Sequence, residues 1–238
     1  MNKRIITATF LMAMSSLAGF AQRQFDNLDR GLIAVKSNGG MYCSWRINAD
    51  EYYATTYDLY RDGVKVNDQP LTVSNFTDPN GTLESQYTVK AVHAGQASAD
   101  SKKGLSLANG WLEVKKPKRI SNDGKTDISN QYEPNDATIG DVDGDGEMEL
   151  ITKQLFIGQD PNNTSQADFA RIEVQKLDGT LLWWIDCGPN MWDFQQNEIN
   201  IMAYDWDGDG KAECVARLQD GSVIHMADGT TYTVGDAT

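Results

Sequence analysis

The sequence predicts an all-β chain, a β-sandwich followed by the first blades of a β-propeller, and three observations predict it. Short runs of alternating apolar and polar residues, separated by turn signals every 8–15 residues, extend from about Gln24 to Leu107. An acidic loop flanked by strand-like runs occurs twice, at Asp141 and again 64 residues later at Asp205. Asp-Gly pairs punctuate both halves, as tight hairpins require. The reading divides the chain into a leader (1–21), a sandwich (22–108), a linker (109–130) and a partial propeller (131–238).

The leader comes first. Lys3-Arg4 precedes an apolar stretch from Ile5 to Leu17, and Gly19-Phe20-Ala21 places small residues at −3 and −1 of a cleavage site before Gln22. The run is shorter than the roughly 18 apolar residues of a spanning helix, so no stable membrane insertion is expected. No cysteine follows the site, so a lipid anchor is not expected either. The expectation is a secreted or periplasmic protein.

In the sandwich the strands read Gly31–Val35, Met41–Ile47, Tyr57–Arg61, Val64–Val66 and Gln86–Val92, with Asp62-Gly63 closing a hairpin. Trp45, in an early alternating strand ahead of tyrosine-rich ones, resembles the core tryptophan of a fibronectin type III sandwich. It is read as core rather than as a sugar platform. The linker carries Lys115-Lys116-Pro117-Lys118-Arg119, read as a solvated face.

Composition narrows the function. The formal net charge is −13, with 34 acidic against 21 basic residues, and this repels phosphate backbones, so nucleic acid is not the expected partner. Aromatic residues make up 9 %, too many for a disordered acidic tail. Cys43, Cys187 and Cys214 each lie in an apolar strand-like run and read as small buried hydrophobes. Two histidines, His93 and His225, build no Cys/His zinc site.

The chemistry lies in the repeat. Asp141-Val142-Asp143-Gly144-Asp145-Gly146-Glu147-Met148-Glu149 recurs as Asp205-Trp206-Asp207-Gly208-Asp209-Gly210-Lys211-Ala212-Glu213. Carboxylates at positions 1, 3 and 5 with a turn glycine at 6 wrap hard oxygens around one Ca²⁺. Position 7 offers the carbonyls of Glu147 and Lys211, and position 9 the carboxylates of Glu149 and Glu213. Position 12 holds Thr152 and Ala216, so neither loop is an EF-hand. Several carboxylates so close would repel without a cation. Both sites are read as structural clips. Two blades cannot close a propeller, so the chain is read as the N-terminal piece of a longer protein.

At these residues the chain resembles the family-11 polysaccharide lyases, the rhamnogalacturonan lyases. The resemblance runs through Leu28–Val35, Ser44-Trp45-Arg46, Leu59–Gly63, Asn135–Asp141, Lys176–Thr180 and Tyr204–Gly210. It implies an eight-bladed, calcium-bearing propeller that cleaves the rhamnose–galacturonate backbone of pectin by β-elimination. A cation or basic group neutralises the uronate carboxylate, a base removes the C5 proton, and the C4 oxygen leaves.

By the same resemblance Asn135 contacts substrate. Asp136, five residues before Asp141, and Asn200, five before Asp205, are candidate extra metal ligands. Where the family carries Lys-Trp-Asp-Pro this chain has Lys153-Gln154-Leu155, with Asp160-Pro161 later, so Asp160 is the second candidate substrate residue. The family's His-Tyr pair is Asn197-Glu198 here. No residue is assigned as catalytic base. The expected partner is the acidic plant polysaccharide rhamnogalacturonan I, and a monomer is expected. The alternative is a non-catalytic, calcium-stabilised carbohydrate-binding or adhesion propeller.

Overall fold

The computed structural model describes residues 28–49, 51, 54–121, 124–158, 168–191 and 199–236. The expected leader, Asp160 and the Asn197-Glu198 pair lie outside the described residues.

Eight strands precede residue 108: β1 (Ile33–Ser37), β2 (Gly40–Ser44), β3 (Thr55–Arg61), β4 (Val64–Lys65), β5 (Asn75–Asp78), β6 (Tyr87–His93), β7 (Gln96–Ala97) and β8 (Leu105–Leu107). They form two four-stranded sheets, ordered β5-β2-β1-β8 and β4-β3-β6-β7. Alternation puts Met41 and Cys43 of β2, Tyr57 and Leu59 of β3, and Tyr87, Val89 and Ala91 of β6 into one core between them. Trp45 lies in that core, 5 % exposed and edge-on to Tyr57 at 5.6 Å. The core reading of Trp45 therefore stands.

Asp62 and Gly63 take φ of 50° and 80°, the positive pair that a two-residue hairpin needs, and β3 pairs with β4 across them. Asp78 of β5 joins the two sheets: Arg61 of β3 donates to it at 2.5 Å and the Tyr87 hydroxyl of β6 at 2.8 Å.

The second region holds β9 (Tyr132–Gly140), β10 (Glu149–Phe156), β11 (Arg171–Gln175), β12 (Leu181–Asp186), β13 (Ile201–Tyr204), β14 (Glu213–Ala216), β15 (Val223–Met226) and β16 (Thr231–Thr233). The repeat predicts the opening blades of a propeller, in units of about four strands. The described strands make one six-stranded antiparallel sheet, ordered β16-β15-β12-β11-β10-β9, and a separate β13–β14 hairpin. β15 pairs with β12, register Ile185↔Ile224, and so covers an edge that would otherwise be open. The hairpin lies on the apolar face, where Ile201, Ala203, Cys214 and Ala216 pack around Ile151, Ile172, Val174 and Ile185. The approach is close: a Cβ on Gly140 would stand 2.9 Å from the Ala212 Cβ and 3.0 Å from that of Ala203.

The opposite face of this sheet is buried and charged. Arg119 is 2 % exposed and grips Glu173 of β11 with two hydrogen bonds of 2.5 Å. Its guanidinium and that of Arg171 each lie 5.1 Å from the Tyr132 ring centroid. Arg171 in turn pairs with Asp168 at 2.9 Å. Lys118 is solvated as expected, but Arg119 is not, because Glu173 needs a partner under that cover.

Cys43 and Cys187 are buried and Cys214 half-buried, and the three form no disulfide. No helix among the described residues is long and apolar enough to cross a membrane.

Candidate functional site

Each acidic loop closes a hairpin at the same register. Glu149 pairs with Gly140 around loop 1 (141–148), and Glu213 with Tyr204 around loop 2 (205–212). The first aspartate organises each turn. Asp141 Oδ1 accepts from the amides of Gly144 (2.8 Å) and Asp145 (3.0 Å), and its Oδ2 from Gly146 (2.8 Å). Asp205 accepts from Gly208 at 2.6 Å and Gly210 at 3.0 Å. Gly146 and Gly210 take φ of 88° and 91°, which a side chain would strain. The ninth residue folds back: Glu149 accepts from the Val142 amide at 2.9 Å and Glu213 from that of Trp206 at 2.8 Å.

These bonds leave carboxylate oxygens converging. In loop 2, Asp205, Asp207, Asp209 and Glu213 each bring an oxygen within 4.8 Å of all the others; in loop 1, Asp141, Asp143 and Glu149 do. Hard oxygens at that spacing suit a divalent cation of the calcium type. Asp145 is drawn aside. Its Oδ2 accepts from the Lys176 ammonium at 2.8 Å, and Lys102 lies 3.2 Å from its Oδ1.

Lys176 also stands 2.6 Å from Asp143 and 3.9 Å from Glu149, so an ammonium already sits where a cation fits. Lys176 foremost, and Lys102 with it, holds the Asp145 carboxyl down to about 2. Burial pushes the Glu149 carboxyl up, and its 1 % exposure shows why. Glu147 turns toward Lys102 at 3.8 Å. The Lys211 amide donates to Asp209 at 2.9 Å.

The two loops touch. The Ala212 amide donates to the Asp141 carbonyl at 2.6 Å, and Gly144 lies against Gly210 and Lys211. Loop 1 also meets the sandwich: the Asp29 amide donates to the Gly146 carbonyl at 2.8 Å, and the Lys102 amide to Asp29 Oδ1 at 2.9 Å. Loop 1 is thus the junction of both regions.

Asn135 and Asp136 occupy a β-bulge. The register runs Thr152↔Ala137 and then Gln154↔Pro134, leaving these two residues opposite Lys153 alone. Bulges re-aim side chains and concentrate beside active sites. Asn135 is half-buried with its Oδ1 inside, and Asp136 meets the fully buried Lys153 at 3.3 Å. Asp136 does not join loop 1. It stands five residue steps before Asp141 along β9, about 16 Å at the usual rise, and is not among the converging carboxylates. The spacing identified the loops but missed Lys176, Lys102 and Lys153. Lys176 lay within a motif already noted, Lys176–Thr180, yet nothing in that motif shows its reach to Asp145, 31 residues away.

Residues 23–106 match the family described as the Rhamnogalacturonan I lyases beta-sheet domain, and residues 111–238 match the Rhamnogalacturonan lyase family 11, C-terminal domain. The rhamnogalacturonan endolyase YesW of Bacillus subtilis is 38 % identical over 250 residues, covering 99 % of this chain and 39 % of YesW. The exolyase YesX of the same organism is 39 % identical, covering 90 % of this chain and 35 % of YesX. The crystal structure of YesW superposes with a TM-score of 0.74 at 37 % identity over 92 % of this chain and 37 % of its own. The Bacillus licheniformis rhamnogalacturonan lyase PL11 gives 0.72 at 33 % identity over 91 % of this chain and 36 % of its own. The chain therefore spans under two-fifths of these relatives' length, and over that span it belongs to family 11 of the rhamnogalacturonan lyases.

Proposed function

We propose that this chain forms part of an exported polysaccharide lyase that cleaves the rhamnogalacturonan backbone of pectin by β-elimination. The single observation that carries the reading is the likeness to an endolyase and an exolyase of that polymer along nearly the whole chain. In this reading the two regions are a fibronectin-III-like sandwich and the opening blades of a calcium-bearing propeller, exported to the periplasm or the medium by the leader.

The residues divide the work. The bulge presents Asn135 to the sugar beside the Lys153–Asp136 pair, and Asp160 is the second sugar contact. Asp205, Asp207, Asp209 and Glu213 hold one calcium ion, and Asp141, Asp143, Asp145 and Glu149 a second, with carbonyls of Glu147 and Lys211 completing the shells. When bound, each ion supplies a fixed double charge that ties two strand ends together. Asn135 is neutral and cannot remove the C5 proton, so base and carboxylate-neutralising groups come from elsewhere in the enzyme.

The test uses the 238-residue chain and a chimera in which it replaces the matching part of YesW. Both are incubated with rhamnogalacturonan I and with homogalacturonan, and the ultraviolet band of unsaturated uronate is followed. The chimera is expected to release unsaturated product from rhamnogalacturonan I and not from homogalacturonan, while the chain alone stays silent. A folded chimera that binds the polymer without cleaving it would overturn the proposal in favour of a carbohydrate-binding module.

A further inference from the structure

Loops 1 and 2 carry carboxylates at the same four positions, but only loop 1 carries a resident ammonium. Lys176 leaves the sheet at the turn between β11 and β12, which is pinned by Lys176 N–H to Thr180 and Gly179 N–H to Lys176, both 2.9 Å. From there its Nζ reaches Asp143 at 2.6 Å, Asp145 at 2.8 Å and Glu149 at 3.9 Å. Calcium binds carboxylate oxygens at 2.3–2.6 Å and needs six to eight of them. Lys176 faces Asp143 and Glu149, two of the three carboxylates that converge in loop 1, so an ion on Asp141, Asp143 and Glu149 would compete with its ammonium for the same groups. Two cations cannot share that space. Among the described residues no lysine or arginine nitrogen lies within salt-bridge distance of Asp205, Asp207, Asp209 or Glu213.

We propose that Lys176 is a built-in competitor at loop 1, so that loop 2 takes calcium first and loop 1 fills only as Lys176 withdraws. The proposal rests on the reading of both loops as calcium sites. Withdrawal is open to the side chain, which is 29 % exposed and can swing into water. Its departure does not leave loop 1 without a cation partner, because Lys102 of the sandwich still faces Asp145 and Glu147. Filling loop 1 therefore exchanges an internal ion pair for an external ion at the junction of the two regions. Filling loop 2 exchanges nothing. The device grades the response: calcium high enough for the open loop leaves the junction on its lysine.

Calorimetric titration of the chelator-stripped full chain with calcium tests this. The wild type is expected to bind in two steps, and Glu213→Gln to lose the tighter one. Lys176→Met is expected to tighten the weaker step by about tenfold, within the usual range of couplings between competing ligands, and to leave the tighter step alone. Lys176→Arg, which keeps the charge, is expected to keep the wild-type separation. Lys176→Gln replaces the methionine variant should that variant misfold. Two steps unmoved by Lys176→Met and Lys176→Gln, or a weaker step further weakened, would overturn the proposal while leaving the calcium reading intact. No heat of binding from any of these proteins would overturn both.

Discussion

Asp141–Glu149 and Asp205–Glu213 fold to the same turn, with two matching backbone bonds onto the first aspartate and the same return of the ninth residue. Their surroundings differ in every respect. Loop 1 is wedged between the sandwich, the β11–β12 turn and loop 2; Asp141 is 8 % and Glu149 1 % exposed, and two lysines answer its charge. Loop 2 caps a two-stranded hairpin, its Asp207 and Asp209 open to solvent. A local motif sets the turn and the donor set. The tertiary neighbours set the charge balance, and with it the work that a cation would do.

The largest expected effect lies at the anchor of β11, the strand that leads to Lys176. Arg119→Met strands Glu173 as a buried charge, and breaking one side of such a pair costs about 3–5 kcal/mol. Denaturant unfolding reads this directly. Lys118→Met, whose partner Asp127 is solvent-exposed, is expected to change nothing measurable. If the two variants unfold alike, the buried pair does not hold the strand from which Lys176 reaches.

The next effect compares the two first aspartates. Asp141→Ala removes an acceptor from three amides at a buried carboxylate, at a cost of about 3 kcal/mol, whereas Asp205→Ala removes one from two amides at a half-buried carboxylate and costs about 1 kcal/mol. Equal losses, measured in chelator, would mean that the neighbours of loop 1 add nothing to its turn.

A smaller effect carries a sign. Without calcium, Lys176→Met leaves the loop 1 carboxylates short of one counter-charge, and a loss of about 1 kcal/mol is expected after allowing for solvent screening. In saturating calcium the loss is expected to vanish, because the ion replaces the ammonium. A loss of the same size in both conditions would make Lys176 a plain structural contact.

What the sequence shows of this comparison is its local half. Carboxylates at positions 1, 3, 5 and 9 and glycine at 6 act within nine residues, so spacing alone reveals both loops. The alternation in β3 and β6 likewise reveals the sandwich core, because burial there has period two. Lys176 meets Asp145 across 31 residues, and no periodicity encodes such a meeting. The same limit explains the sheet. Alternation tells which side chains of β15 face inward but not that β12 is its partner, so the repeat alone does not show that strands from both of its copies share one wide sheet. The bulge at Asn135-Asp136 was hidden for a third reason. It is a mismatch between two strands and exists in neither alone.

The smallest expected effect is local to loop 2 and uses a built-in reporter. Cys214 follows Glu213 directly, pairs with Ala203 across the β13–β14 hairpin and turns its thiol toward the apolar face. Burial pushes that thiol up to about 11, so it reacts slowly with an alkylating reagent in the closed hairpin and faster when the hairpin opens. Cys43, fully buried in the sandwich core, serves as the slow internal control. Calcium on loop 2 ties Glu213 to Asp205 across the hairpin's mouth and should hold it shut. At twice its dissociation constant, the ion stabilises the closed form by about 0.6 kcal/mol, which slows labelling of Cys214 about threefold. Lys176→Met should leave that rate where it was, with or without calcium, because Lys176 answers to the other loop. A Cys214 rate indifferent to calcium would show that loop 2 does not clamp its hairpin. A rate that follows Lys176 instead would show that the contact between Ala212 and Asp141 makes the two loops one site.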